Sequence, residues 1–384
     1  MGYYRNVISS NLLCRSLNIQ YPIIQAPMSG VTTPELVAAA SNAGGLGILG
    51  AGRMLPNQIL DAIHKIKKLT NHTYGVNLLL APPDKKEADK EDIFDIQQFL
   101  DNKFRQNLGL SPKSNQKTGI TIPSSILLEH LRVIVDEKVP LVSFAMGDPV
   151  KYVEQIHSIG AKVMSMVTTV EEAINVVRNG TDIVVVQGAE AGGHRSTFDI
   201  NPNEEIPMIG TMPLVPQVVD AIKKVGRPAE NIPVVAAGGI ADGRGLLAVL
   251  ALGASGVMLG TRFLVANESG AFKAYQERLL SAKETDTVVT KIFTGRPARG
   301  LRNSFVHEYL KSGSKPLAWP IQLLATNDIY AAAQRQNNAE YFPLLAGQGL
   351  RMLKKAQSAA EIIQEIMAEA KETSSMLNQM LSTL

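Results

Sequence analysis

Eight short apolar runs, spaced through the first two-thirds of the chain, constrain its fold more than any other feature. In order they are PIIQAP (22–27), GLGIL (45–49), TYGVNLLL (73–80), PLVSFAM (140–146), AKVMSMV (161–167), DIVVVQG (182–188), IPVVAAGG (232–239) and ASGVMLGT (254–261). A helical pattern follows each of them, directly or after a loop, except the third, which runs into a long polar stretch. Strands that are apolar on both faces and alternate with helices predict a parallel sheet covered by helices. Eight such units, complete by residue 282, predict a closed (β/α)8 barrel over an open doubly wound sheet. A Rossmann-like sheet is the alternative. However, no G-x-G-x-x-G with a suitably spaced acidic residue follows the first run, and the glycines of AGGLGILGAG (43–52) span a strand instead of opening a helix.

Two segments exceed a minimal barrel. Residues 82–126 hold the charged run DKKEADKEDIFDIQQFLDNKF and the polar SPKSNQKTG, which predict an excursion after the third strand with one helix and a mobile tip. The barrel is expected over 1–284. Residues 285–384 form a C-terminal segment whose helices pack on the barrel mouth. Its last helix, SAAEIIQEIMAEAKETSSMLNQML, has apolar residues at three- and four-residue spacing, so one face is expected to pack on the barrel.

A net charge of +3 with interspersed signs gives no support to a nucleic-acid or membrane surface. The longest apolar run, residues 246–260, is glycine-broken and short of the roughly 20 residues that a span needs. Cys14 is the only cysteine, so a disulfide framework or a cysteine metal site within one chain is excluded and a reducing, cytoplasmic setting fits. MGYYRNVISSNLL has no charged n-region followed by an apolar h-region. The chain is expected to act as a monomer or homodimer.

In such barrels the chemistry sits where the strands end at their C-terminal side. Glycine-rich turns after the seventh and eighth strands, with Gly238, Gly239, Gly260 and Thr261, expose backbone N–H groups as a phosphate site does. Asn77 and Gln187 sit at or near the ends of buried strands. Each is either a core amide bonded to neighbouring backbone or a contact for a ligand with amide-like edges, such as a flavin ring. His194 follows the sixth strand through the double glycine Gly192–Gly193, which lets its imidazole turn across the mouth as a proton acceptor or electrostatic partner. His64, His130 and His157 lie in helical patterns and are expected at the surface. No His or carboxylate pair has metal-ligand spacing, so no metal is expected.

PIIQAPMSGVTTPELVAAASNAGGLG, YGVNLLL, VVVQGAEAGGHRSTF, IPVVAAGGIADGRGLLAVLALGASGVMLGTRFL and TGRPARGLRN together resemble the nitronate monooxygenases, once called 2-nitropropane dioxygenases. The resemblance runs from about Tyr21 to Gly349. It implies an FMN-dependent TIM barrel with added C-terminal helices, oxidising alkyl nitronates such as propionate 3-nitronate with O2 to carbonyl compounds and nitrite. It implies that Ala26, Pro27 and Met28 run beside the isoalloxazine, that Asn77 and Gln187 hydrogen-bond the flavin and that Gly192 packs against it. Gly238 and Gly239, with Met258, Leu259, Gly260 and Thr261, would hold the phosphate. Gln348 in PLLAGQGL would belong to a segment returning over the flavin. His194 matches the histidine that acts as base on nitroalkanes or positions the nitronate.

Rival readings on the same scaffold are a flavin-dependent enoyl-acyl-carrier-protein reductase, which shares an EAGGH-like turn, and an NAD(P)H:quinone reductase. Inosine-monophosphate dehydrogenase needs a loop cysteine, and Cys14 precedes the first strand. A flavin-binding protein without turnover is the reading from another class.

Overall fold

The structure is a computed structural model that describes residues 11–80, 90–114, 126–200, 205–225 and 232–383. Eight parallel strands close a barrel: β1 Ile23–Gln25, β2 Leu46–Gly50, β3 Tyr74–Leu79, β4 Leu141–Ala145, β5 Lys162–Val167, β6 Ile183–Gln187, β8 Val234–Ala237 and β9 Gly256–Leu259. Closure is made by β1 on β9, with Ile24 opposite Met258. The order is sequential, as the (β/α)8 expectation requires. A short strand of two residues, β7 Gly193–His194, lies outside the barrel and joins β11 Ala298–Leu301 and β10 Thr287–Thr290 in an antiparallel sheet over the mouth.

Both faces of the strands are buried, which is why they read as apolar runs and not as alternation. One face fills the barrel with Ile24, Leu46, Ile48, Leu141, Met164, Ile183, Val185, Val235 and Met258. The helix Leu12–Leu17 closes the bottom of this interior with Leu13, Cys14 and Leu17, and Asn11 Nδ2 donates to Ser255 O at 2.9 Å. Burial pushes the Cys14 thiol up to about 12, so this cysteine is packing and not a nucleophile. The other faces pack on the surrounding helices, each fully buried Val, Ile or Leu contributing about 1.5–3 kcal/mol.

The outer ring departs from the sequence expectation at its eighth position. The pattern SGAFKAYQERLLSA does form a helix, Lys273–Ser281, but it joins a cluster at the mouth with Val31, Leu301 and Leu344. The position between the seventh helix, Gly243–Ala251, and the first, Pro34–Asn42, is taken by the C-terminal helix Ala359–Leu381. Ile362, Ile363 and Ile366 pack there with Leu36, Ala40, Leu246 and Val249. The last helix therefore lies on the barrel flank and not on the mouth. Its apolar stripe fits a groove that the shorter, less amphipathic Lys273–Ser281 leaves open.

The excursion has its expected helix, Lys90–Leu100, continued by a π-turn Asp101–Arg105 and a 3-10 turn Gln106–Leu108. Most of its expected mobile tip, 115–119, lies outside the described residues. The excursion and the C-terminal segment share one apolar cluster, in which Leu100, Phe104 and Leu108 meet Phe293, Phe305, Tyr309 and Ile329. A boundary at residue 284 therefore does not divide separate cores.

Candidate active site

The turn after β6 shows why a strand runs into two glycines and a histidine. Glu190 is spent on structure. Its carboxylate accepts from the Thr211 N–H at 2.9 and 3.0 Å and from the Thr211 hydroxyl at 2.9 Å, capping the helix Thr211–Lys223. A Cβ on Gly192 would stand 2.5 Å from the backbone of Ala346 and Gly347, so glycine lets the segment 344–349 come down onto the turn. The chain then reverses into β7, with His194 paired to Ala298.

His194 Nε2 lies 2.7 Å from Thr294 Oγ1, and the ring meets Trp319 edge-on at a centroid distance of 5.8 Å. Burial first, then the positive charges of Arg296 and Arg53, push the imidazole pKa from 6.5 down to about 4. The ring is therefore neutral at pH 7. Where the Thr294 hydroxyl donates to Arg296 O (3.3 Å), Nε2 carries the ring proton and Nδ1 is the free base.

Asn77 and Gln187 reach the mouth by register. Asn77 is opposite Ser143, and Gln187 is opposite Ala237. Asn77 Nδ2 donates to Ser143 O at 3.1 Å, while its Oδ1 has no donor among the described residues. Gln187 is more fully engaged: Nε2 donates to His194 O at 2.9 Å and Oε1 accepts from Ser196 N at 2.9 Å. It fixes the turn that carries His194, and one amide hydrogen remains for a ligand. Ala26, Pro27 and Met28 line the mouth half-buried above β1.

Gly238 and Gly239 both adopt positive φ, +115° and +71°, a conformation closed to most side chains. The N–H groups of Gly239, Gly260 and Thr261 have no acceptor among the described residues. Thr261 Oγ1 accepts from Gly347 N at 2.9 Å, leaving its hydroxyl proton free to donate. Unsatisfied N–H groups at glycine turns fit a phosphate. Met258 and Leu259 support this cradle from below: their side chains are buried and Leu259 O accepts from Ala26 N. The Gln348 backbone N–H donates to Glu190 O at 2.9 Å, which holds the returning segment, and its side chain is exposed. Gly192 packs on that same segment.

Four arginines stand around the mouth. Arg195 donates to Gln187 O (2.6 Å) and Pro207 O, Arg299 to Ala189 O (2.9 Å) and Thr287 Oγ1 (2.9 Å), and Arg296 to Thr197 O. Arg53, beyond β2, donates to Asn327 Oδ1. Arg53, Thr294, Arg296 and Trp319 escape sequence reasoning because their meaning depends on contacts across the fold. His130 departs from its expected surface position: it is 3% exposed, its Nε2 lacks a hydrogen-bond partner, and burial lowers its pKa. In its helix, Ile126–Asp136, it is buried along with Leu131 and Ile134. Among the described residues no cluster of His, Cys, Asp or Glu could hold a metal ion. No helix among them is long and apolar enough to cross a membrane.

A closed parallel (β/α)8 barrel whose histidine, amides and glycine turns gather at the C-terminal ends of its strands has the architecture of a barrel enzyme acting on small molecules. The chain belongs to the nitronate monooxygenase family, whose profile matches residues 10–369. It is 41% identical to a probable nitronate monooxygenase of Staphylococcus saprophyticus, over 93% of this chain and 96% of that protein. Among solved structures, nitroalkane oxidase from Streptomyces ansochromogenes superposes with a TM-score of 0.83 at 34% identity, covering 94% of this chain and 99% of that one. FabK from Thermotoga maritima follows at 0.73 and 31%, covering 96% and 98%.

Proposed function

We propose that this enzyme binds FMN and oxidises alkyl nitronates, propionate 3-nitronate among them, with O2 to carbonyl compounds and nitrite. The observation that carries this reading is the neutral His194 set among cationic groups at the barrel mouth. The cradle of Gly239, Gly260 and Thr261 would hold the FMN phosphate through its free N–H groups and the Thr261 hydroxyl. Asn77 Oδ1 would accept from an N–H edge of the isoalloxazine, and Gln187 has one amide hydrogen for it.

When bound, FMN supplies the redox chemistry, accepting electrons from substrate and reacting with oxygen. The chain supplies charge, orientation and proton handling. The guanidinium groups favour a nitronate anion over its neutral nitroalkane. His194 accepts the α-proton when the substrate arrives as a nitroalkane, and otherwise orients the nitro oxygens through its ring. Trp319 and the β7–β11–β10 sheet restrict water around the ring.

The test is oxygen uptake and nitrite release from propionate 3-nitronate in air, without NAD(P)H, by the FMN-loaded protein. Turnover supports the reading. A protein inert until NADH and an enoyl thioester or a quinone are added belongs with the reductases, and one that binds FMN but turns over nothing is a carrier. A protein that cannot take FMN at all refutes the flavin assignment.

A further inference from the structure

We propose that Arg53 is the specificity-determining residue of this site, the cation that selects anionic substrates over neutral ones. The assignment rests on the nitronate reading above and adds a residue to it. Arg53 follows β2 at the mouth end of the barrel. Ala51 N donates to Asn77 O at 3.1 Å, which seats the Arg53 loop directly beside Asn77. On its other side, Asn327 belongs to the helix Ile321–Arg335, which starts just after Trp319, the residue against His194. Arg53 thus bridges the barrel rim and the element that covers His194.

The four mouth arginines differ in what they have left to give. Arg195 and Arg299 are largely spent on backbone carbonyls of the turn after β6 and of the loop before Thr211, while Arg296 lies inside the fold with a bond to Thr197 O. Arg195 and Arg296 are moreover buried. Arg53 is exposed, and its one hydrogen-bond acceptor among the described residues is the neutral amide oxygen of Asn327. A guanidinium carries five donors, so most remain for a ligand. Among the described residues no carboxylate lies within ion-pair reach of it, so its charge is uncompensated. That charge is felt at the His194 ring. Enough protein crowds the guanidinium to pull its pKa below the usual arginine range. A positive group without a counter-ion, on the loop beside Asn77 and tied to the helix that follows Trp319, is a place for an anion.

The structural alternative is that Arg53 only tethers the helix Ile321–Arg335. Binding of nitrate, a planar anion that is not turned over, separates the two in FMN-loaded protein. Trp319 is the only tryptophan in the chain, so its fluorescence reads the site. Arg53→Gln should weaken nitrate binding about tenfold, as the loss of one partly screened charge contact does, and should flatten its dependence on ionic strength. Arg53→Lys should restore most of the affinity. In turnover, KM for nitronates should rise while KM for neutral nitroalkanes stays level. Nitrate affinity unchanged in Arg53→Gln, or equal losses for neutral and anionic substrates, overturns the assignment. A wild-type protein that binds nitrate in this Arg53-dependent way yet releases no nitrite from nitronates refutes the functional reading and leaves the assignment standing.

Discussion

The depressed pKa of His194 gives a sharp expectation, because the ring lies 5.8 Å from the one tryptophan of the chain. A charged imidazolium quenches indole emission and a neutral imidazole does so far less. With a pKa of about 4 in place of 6.5, His194 is about 3% protonated at pH 5.5, where an ordinary histidine is about 90% protonated. Tryptophan emission should therefore hold steady from pH 8 to 5.5 and fall with a midpoint near 4. In His194→Asn this transition should vanish. The same shift acts on stability. The folded-state pKa lies below the unfolded one, so the stabilisation is fully present above 6.5 and is lost as pH falls through 4. It is worth about 3 kcal/mol in total, of which about 2 kcal/mol is lost between pH 7.5 and 5. In denaturant unfolding at those two pH values, wild type should lose about 2 kcal/mol more than His194→Asn, which keeps every other titrating group, His130 included. A fluorescence midpoint near 6.5 would refute the claim that burial and the arginines hold the ring neutral.

Three further expectations concern separate parts of the site. His194→Asn should cut oxidation of neutral nitroalkanes by a factor of about 10²–10⁴ with the flavin spectrum intact, and unchanged turnover would remove His194 from proton transfer. Gly239→Val forces a β-branched residue to φ +71°, with its Cβ 3.2 Å from Glu190 Cβ. FMN titration should show affinity at least about tenfold weaker; an unaltered Kd would place the phosphate elsewhere. Arg105→Met removes a fully buried guanidinium that bonds Asp101 at 2.7 Å and Asp328 at 2.9 Å. Asp101 keeps the N–H groups of Lys113 and Ser114 and Asp328 keeps Lys113 Nζ at 3.1 Å, so losing the arginine's bonds should cost about 2–3 kcal/mol in denaturant unfolding, and a cost under 1 kcal/mol would show that solvent replaces the arginine.

The eight strands are legible because burial on both faces leaves continuous apolar runs, and DIVVVQG or IPVVAAGG needs no partner to be recognised. Gly238 and Gly239 are legible for a similar reason, since a positive φ must be solved locally. The rest of the site is not local. Thr294 meets His194 from 100 residues away, and Asn327 meets Arg53 from 274. No periodicity records such a pairing. Gln187 shows the intermediate case: its place at the end of a buried strand is readable, but its bonds to His194 O and Ser196 N follow only from the reversal into β7. The eighth helix of the ring is not legible because two amphipathic segments compete for one groove, and sequence order favours Lys273–Ser281 over Ala359–Leu381, which fills it.

That substitution has a consequence for how the mouth is built. With Ala359–Leu381 filling the flank, the chain between Leu264 and Ser358 is free to cross the top of the barrel, supplying Thr294, Arg296, Trp319 and Asn327 on the way. The excursion after β3 meets this crossing segment: Phe104 packs on Phe305 at 4.5 Å, and Arg105 donates to Ala325 O and to Asp328, next to Asn327. The two segments have a joint core and one buried ionic tie, whereas Arg53 reaches them from the barrel rim through Asn327. The groups that set the charge around His194 are therefore held partly by the barrel and partly by its cover. Loosening the cover at Arg105 should shift the position of Asn327 before it disturbs any barrel strand. Arg105→Met should thus raise KM for nitronates in the manner of Arg53→Gln, under conditions where FMN remains bound to the barrel. If KM stays at the wild-type value while the protein is destabilised, the cover and the site are energetically independent, and Arg53 holds its place from the rim alone.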